Sequence, residues 1–236
     1  MMKHTIYISI LAILILSVTA CNDNADKQAA PDEEPVTDSV VTNGPDTTLA
    51  AETIQQFQTA GFTDYAKSKI PSFDWSRFKY KSSYEQDSLL TGDFKPSKTY
   101  YASYGSLLKY SPDSSRFIDL DSYNIDIRKD ASGKLIGTAG GPDTEVSLID
   151  PKSGKSKRLL FMGPGGSVED AFWTGNNELV IVGTQENEEN GGKKVTVWKI
   201  NLADMMYDIY ELDDVGAADK LAGQWRKERL KGVVLK

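Results

Sequence analysis

The sequence predicts a mainly β protein, built of antiparallel sheets with short helices on its N-terminal side and a helix near its C-terminus. Three observations predict it. From residue 99 onward, apolar and polar residues alternate in runs with period two, the pattern of strands with one face buried. Turn signals rich in Gly, Pro, Asn, Asp and Ser recur between those runs. Two stretches also match when aligned: Tyr110-Ser111-Pro112-Asp113 with Phe117 to Asp121, and Trp173-Thr174-Gly175-Asn176 with Leu179 to Gly183. Two more strands follow each stretch, so each unit holds about four strands.

In chain order, Ala50 to Phe57 predicts a short helix with Ile54 and Phe57 on one face. Asp74-Trp75-Ser76-Arg77-Phe78 predicts an N-cap and the start of a second helix, because an Asp side chain can satisfy a free N–H at a helix start. Thr99 to Leu108 predicts a strand pair, or a strand and a turn. Tyr110 to Ser115 then turns into a strand from Arg116 to Tyr123. Gly137 to Pro142 and Gly163 to Ser167 are predicted sheet-to-sheet turns.

Glu145 to Asp150 and Lys157 to Met162 flank the turn Pro151-Lys152-Ser153-Gly154-Lys155. Ala171 to Trp173, Glu178 to Gly183, Lys194 to Ile200 and Tyr207 to Leu212 complete the strands. Gly216 to Lys231 predicts a helix with Ala218, Leu221, Ala222 and Trp225 on one face, docked on the sheet by Trp225. Its basic last turn complements the helix dipole. A membrane-binding helix is the alternative.

Ser111-Pro112-Asp113 before Phe117-Ile118, and Ile149-Asp150-Pro151-Lys152-Ser153-Gly154-Lys155, resemble WD-like and Tol-system propeller repeats over roughly residues 107 to 212. The resemblance implies propeller-blade-like four-stranded units. Two units are visible, whereas propellers typically carry four or more blades.

The N-terminus carries Lys3 and His4, an apolar stretch from Ile6 to Leu16 and a small-residue segment ending at Cys21. This is the outline of a secretory signal. At about a dozen residues the stretch is short of the roughly 20 that a membrane-spanning helix needs. Val18-Thr19-Ala20-Cys21 resembles the bacterial lipobox, which implies cleavage before Cys21 and acylation of its thiol. Cys21 is the one cysteine of the chain, so no internal disulfide competes for it. Asn22 after it, by resemblance to enterobacterial lipoproteins, implies the outer membrane, and Asp23 and Asp26 loosely resemble acidic surface-export tags.

Residues 1–20 are therefore expected to be the signal, 21–60 a lipidated cysteine and acidic tether, and 61–236 a single β domain with a helix over 216–231. The tether carries eight acidic residues against Lys27 and has too little apolar surface to fold, so disorder is expected to about Leu49. Most of the formal net charge of -7 resides there. The remainder is nearly neutral and has no basic footprint for nucleic acid.

His4 is the one histidine, and it lies in the signal. A mature chain without histidine, its cysteine acylated, has no Ser-His-Asp or Cys-His catalysis and no His- or Cys-based metal site. No cofactor is expected. Of the carboxylates, Asp119 with Asp121 and Glu169 with Asp170 are the pairs to weigh for glycan hydrolysis against a reading as solvent-facing or turn-capping acids. Asp119, Asp121, Asn124 and Asp126 are the densest oxygen cluster, without the EF-hand pattern. Tyr100, Tyr101 and Tyr104, with Tyr110 nearby, are candidates for a binding surface, weighed against edge packing.

The first reading is a membrane-anchored, non-catalytic binding or structural module of the cell envelope, with a protein, peptide or glycan partner. A carboxylate-dependent glycan hydrolase and an envelope sensor or assembly accessory are the alternatives.

Overall fold

The computed structural model describes residues 46–187, 191–212, 214, 216 and 218–236. The signal, Cys21 and the tether up to residue 45 lie outside them. Two short helices, α1 (Ala51–Thr59) and α2 (Phe62–Lys69), lead through a 3-10 turn, Trp75–Arg77, into β1 (Phe78–Glu85) and β2 (Thr91–Asp93). Next come α3 (Lys98–Tyr104), β3 (Lys109–Tyr110), β4 (Phe117–Asp119), β5 (Ile125–Lys129) and β6 (Leu135–Ala139). The long strands are β7 (Thr144–Asp150), β8 (Lys155–Met162), β9 (Ser167–Trp173), β10 (Glu178–Glu186), β11 (Lys193–Asn201) and β12 (Met206–Leu212). A 3-10 turn, Ala218–Lys220, α4 (Gln224–Arg229) and β13 (Val233–Leu235) complete the chain.

The strands form two five-stranded antiparallel sheets, β1-β12-β11-β10-β9 and β2-β8-β7-β4-β3, and a three-stranded sheet, β13-β6-β5, in which β13 runs parallel to β6. The two stretches matched in sequence occupy the same place in their sheets. One unit runs β3-β4-β7-β8 with the β5–β6 hairpin inserted, the other β9-β10-β11-β12, and an earlier strand covers the outer edge of each. The equivalent turns touch: Asp113 N donates to Asn176 Oδ1 at 3.1 Å and Arg116 Nη2 to Asn177 Oδ1 at 2.9 Å. No strand among the described residues joins the sheets into a ring.

Side-chain alternation distributes three cores. Leu179 and Ile181 enter the layer between the two large sheets, against Ile118, Leu148 and Trp198. Val180 and Val182, on the opposite face, pack with Phe57, Phe62 and Trp75 beneath α1 and α2. With both faces covered, the segment reads as a continuous apolar run. Each such fully buried side chain contributes about 1.5–3 kcal/mol. A third core, with Tyr104, Phe117, Ile127, Ile149 and Val233, lies behind the other large sheet.

Several expectations are corrected. Leu49 and Phe57 are buried in the core, so folded structure begins well before residue 61. Asp74 accepts from Ser76 N, but only a 3-10 turn follows, because Phe78 turns extended and pairs with Leu212. The expected strand over Thr99 to Leu108 is the helix α3, capped by Ser97, whose side chain accepts from Tyr100 N at 3.0 Å. Burial of Ser103 and Tyr104 on one helical face outweighs the β propensity of Thr and Tyr.

Gly137 is not in a turn but inside β6, where a Cβ would meet Leu235 and Val233 side-chain atoms at 2.8 and 2.9 Å. The C-terminal helix is six residues long, preceded by Gly223 at φ 67, and a strand follows it.

Candidate functional site

The outer face of the sheet β2-β8-β7-β4-β3 carries the most distinctive cleft. Period two places Phe117 and Asp119 of β4, Glu145, Ser147 and Ile149 of β7, and Ser156 and Arg158 of β8 on this face. Pairing sets Asp119 opposite Ser147, Ser147 opposite Arg158, and Glu145 opposite Phe161. A bulge at Leu159 shifts the register between these last two pairs and re-aims the end of β8. Helix α3 covers Phe117, and beside it lies a cavity of about 150 Å³ lined by Phe94, Asp119, Ser122, Tyr123, Glu145, Ser147, Ile149 and Ser156.

Its polar groups are ordered from within. Asp119 Oδ1 accepts from the backbone N–H groups of Asp121 and Ser122, each at 2.9 Å, and Oδ2 accepts from Tyr100 OH at 2.6 Å and from the Ser122 hydroxyl. Glu145 accepts from Ser147 Oγ at 2.6 Å and from Arg158 Nε at 2.7 Å, with Arg158 Nη2 at 2.6 Å. Burial, and then the charge of Asp119, push the Tyr100 phenol far above its ordinary pKa, so it stays a proton donor to that carboxylate. At the rim, Tyr123 and Phe161 are about half exposed and meet edge to face at 5.8 Å, while Arg158 stands 4.6 Å over the Phe161 ring.

The structure sorts the tyrosines chosen from sequence. Tyr100 helps build the cleft by holding Asp119, and Tyr101, 37% exposed, packs on Tyr100 and Phe117. Tyr104 is buried, and its hydroxyl donates to Ile125 O and accepts from Ile127 N, so it offers no binding surface. Tyr100 and Tyr104 do share a face, but through helical spacing rather than strand spacing.

The carboxylate pairs part company in one case and converge in the other. Asp119 serves the cleft, while Asp121, beyond the end of β4, is buried against Arg226 and Arg229. Glu169 is the extra residue of a bulge in β9, opposite the step from Val182 to Gly183. It accepts from Ser167 Oγ at 2.8 Å, Arg226 N at 3.1 Å and Gly223 N. Asp170 binds Lys109 Nζ at 2.8 Å and Trp225 Nε1 at 3.0 Å. Neither acid is solvent-facing: both are buried and hold the C-terminal segment, and Glu169 does so by capping backbone N–H groups at the start of α4.

Burial pushes the Asp121 pKa up, but the charges and hydrogen bonds of Arg229 and Arg226 outweigh it and leave the group below the usual carboxylate range. Glu169 is raised, because burial outweighs the donors around it. The oxygen cluster of Asp119, Asp121, Asn124 and Asp126 is dispersed: Asn124 accepts from Arg226, and Asp126 is ion-paired with Arg128 at the surface. Among the described residues no group of three or more His, Cys, Asp or Glu side chains is placed to hold a metal ion.

Tyr123, Glu145, Ser147 and Phe161 were not singled out in sequence. The alternation Glu145-x-Ser147-x-Ile149 was the available signal for their face, but the cross-strand partners that make it a cleft lie outside any local pattern.

Fold and cleft together define a mainly β protein of three sheets with an acidic, aromatic pocket and no histidine in the described residues. Comparison with known protein families, with curated proteins and with solved structures finds no match.

Proposed function

We propose that this protein is a non-catalytic binding module of the cell envelope, anchored by lipid on Cys21 and using the Asp119–Tyr123 cleft to hold its ligand. The lipobox-like Val18-Thr19-Ala20-Cys21 supports the anchor, and the cleft supports the binding role. In this reading the module stands on the outer membrane at the end of an acidic tether. Its two four-stranded units are propeller-blade-like, a reading supported by their equal strand order and contacting turns.

The observation that carries the reading is that the cleft's carboxylates are already occupied by the protein. A glycan hydrolase needs one carboxyl group with a proton to give and a second free to act as base or nucleophile. Asp119 accepts four hydrogen bonds, and Glu145 is pinned by Arg158 and Ser147. Such acids shape and charge a pocket instead of cycling a proton. Sensing or assembly support are uses of the same bound state.

Two measurements test this. Intact mass of the membrane-fraction protein should match cleavage before Cys21 plus acyl chains, and Cys21→Ser should lose that mass. Titration of the purified protein with fragments of envelope peptides and glycans should give a saturable ligand whose binding is lost in Tyr123→Ala. Turnover of a glycan that disappears in Asp119→Asn would replace binding with hydrolysis.

A further inference from the structure

We propose that the cleft receives a primary alkylammonium group, as at the end of a lysine side chain, with Asp119 as its counter-ion. The inference rests on the reading of the cleft as a binding site and names the chemistry of its ligand.

Charge is the first ground. Asp119 is 5% exposed, and none of the ion pairs among the described residues includes it. Its partners are two backbone N–H groups, a phenol and a serine hydroxyl, all neutral. Glu145, the other acid of the lining, is balanced by Arg158. The four acceptor positions of Asp119 are filled, so what the cleft offers a cation is the unbalanced charge of that carboxylate, reached past the Ser122 hydroxyl, in surroundings where a charge is normally paired. An anionic ligand would meet that charge unopposed, since Arg158 is engaged.

The second ground is the direction of the hydroxyl hydrogens. Ser122 Oγ and Tyr100 OH donate to Asp119 and Ser147 Oγ donates to Glu145, while Ser156 Oγ lies 3.5 Å from Gly92 O. Three of the four have spent their one hydrogen on the protein, so the lining faces a ligand mostly with lone pairs. An ammonium group matches this lining, with three donors and no acceptor. A sugar hydroxyl, which both donates and accepts, would leave its acceptor side unsatisfied.

Shape is the third. A volume of about 150 Å³ suits a short methylene chain and its head group better than a polymer ring system. Phe94 and Tyr123 line it with aromatic surface, which attracts a cation through its π face and packs against methylenes. Arg158 stands closer to the Phe161 ring, at 4.6 Å, than to the Tyr123 ring, at 6.0 Å, so Tyr123 is the less occupied of the two rim aromatics.

The test uses the full chain in detergent micelles and the probe Nα-acetyl-L-lysine N-methylamide, followed by calorimetry and by NMR shifts of tyrosine ring signals. The expected result is saturable binding that perturbs Tyr123 and is lost when the probe is Nε-acetylated. Asp119→Asn should weaken it by about tenfold or more, the scale of removing one charge that faces a cation in a poorly solvated site. Tyr123→Ala, at a half-exposed rim position, should weaken it several-fold.

Equal binding of the acetylated probe, or binding unchanged in Asp119→Asn, would overturn the proposal. So would absence of lysine-probe binding up to millimolar concentration. In that last case, N-acetylglucosamine or an uncharged peptide that binds and is lost in Tyr123→Ala would leave the cleft-binding function standing and remove only its ammonium chemistry.

Discussion

Arg229 grips Asp121 through two parallel hydrogen bonds, Nη1 to Oδ2 at 2.8 Å and Nη2 to Oδ1 at 3.0 Å, with both side chains almost wholly buried. The pair joins the last helix to the loop after β4, and Arg226 Nε adds a third bond to the same carboxylate at 3.1 Å. Glu169 closes the other side by accepting from the backbone at the start of α4. The C-terminal segment is thus docked by charge as well as by the ring contacts of Trp225 with Phe62 and Tyr65.

Removing one partner of this pair leaves the other buried and unpaired. Arg229→Ala is expected to cost about 3–5 kcal/mol, as for other broken buried pairs. Asp121→Leu combined with Arg229→Met should cost clearly less than the sum of the single changes. Urea unfolding of the four-membered cycle measures this, and additive effects would show that the pair is not coupled.

Acid should act on this network in two opposite ways. The folded-state pKa of Asp121 lies below its unfolded value, so its contribution is present above the ordinary carboxylate range and is lost as pH falls through the lowered value. Glu169 has a raised folded-state pKa: the folded state holds its proton more tightly, and its contribution declines as pH rises from the ordinary value through the raised one. The stability cost of Asp121→Asn should therefore grow from acid towards neutral pH, while that of Glu169→Gln shrinks. Denaturation at several pH values checks both slopes, and parallel slopes would contradict the assignment.

Rim aromatics of the cleft should separate binding from folding. Tyr123 and Phe161 are 51% and 45% exposed, so alanine at either should change stability by no more than about 1 kcal/mol. Ligand affinity should fall in Tyr123→Ala, which lines the cavity, and fall less in Phe161→Ala, which does not. A thermal melt beside a binding titration reads the two effects, and a large loss of stability would mean the rim is packing rather than surface.

Two glycines should respond unequally to alanine. At Gly183 a Cβ would sit 2.1 Å from the backbone oxygen of Ser167, within the β9–β10 bulge, and backbone there cannot move without breaking the ladder. At Gly137 the neighbours are side-chain methyl groups of Leu235, Val233 and Ile125, which can shift more readily than backbone. Gly183→Ala is expected to cost about 3 kcal/mol and Gly137→Ala about 1 kcal/mol. Comparable urea midpoints for the two would show that the β9–β10 bulge relaxes.

Strand and turn chemistry is where the chain was legible by itself. Asp150 Oδ1 accepts from Lys152 N and Ser153 N, and Gly154 takes φ 68, so the β7–β8 hairpin follows from five consecutive residues. The aligned stretches around Tyr110 and Trp173 proved to be equivalent strand pairs because alternation and turn residues are local properties of the chain. Absence of histidine beyond residue 4 likewise bounds the chemistry without any structure.

Only the tertiary structure decided what depends on partners distant in the chain. Helix α3 is a helix because burying Tyr104 beside Phe117 and Ile127 outweighs its strand-like composition. β13 exists because β6 offers an edge and Gly137 clears space for Val233 and Leu235. Asp119 and Asp121 look alike two residues apart, yet one lines a cleft and the other meets Arg229, 108 residues away. Local pattern determines which elements can form, since it sets backbone preference and the apolar face. Which carboxylate is exposed, paired or aimed into a cavity is settled by long-range burial and charge pairing, which a linear pattern does not encode.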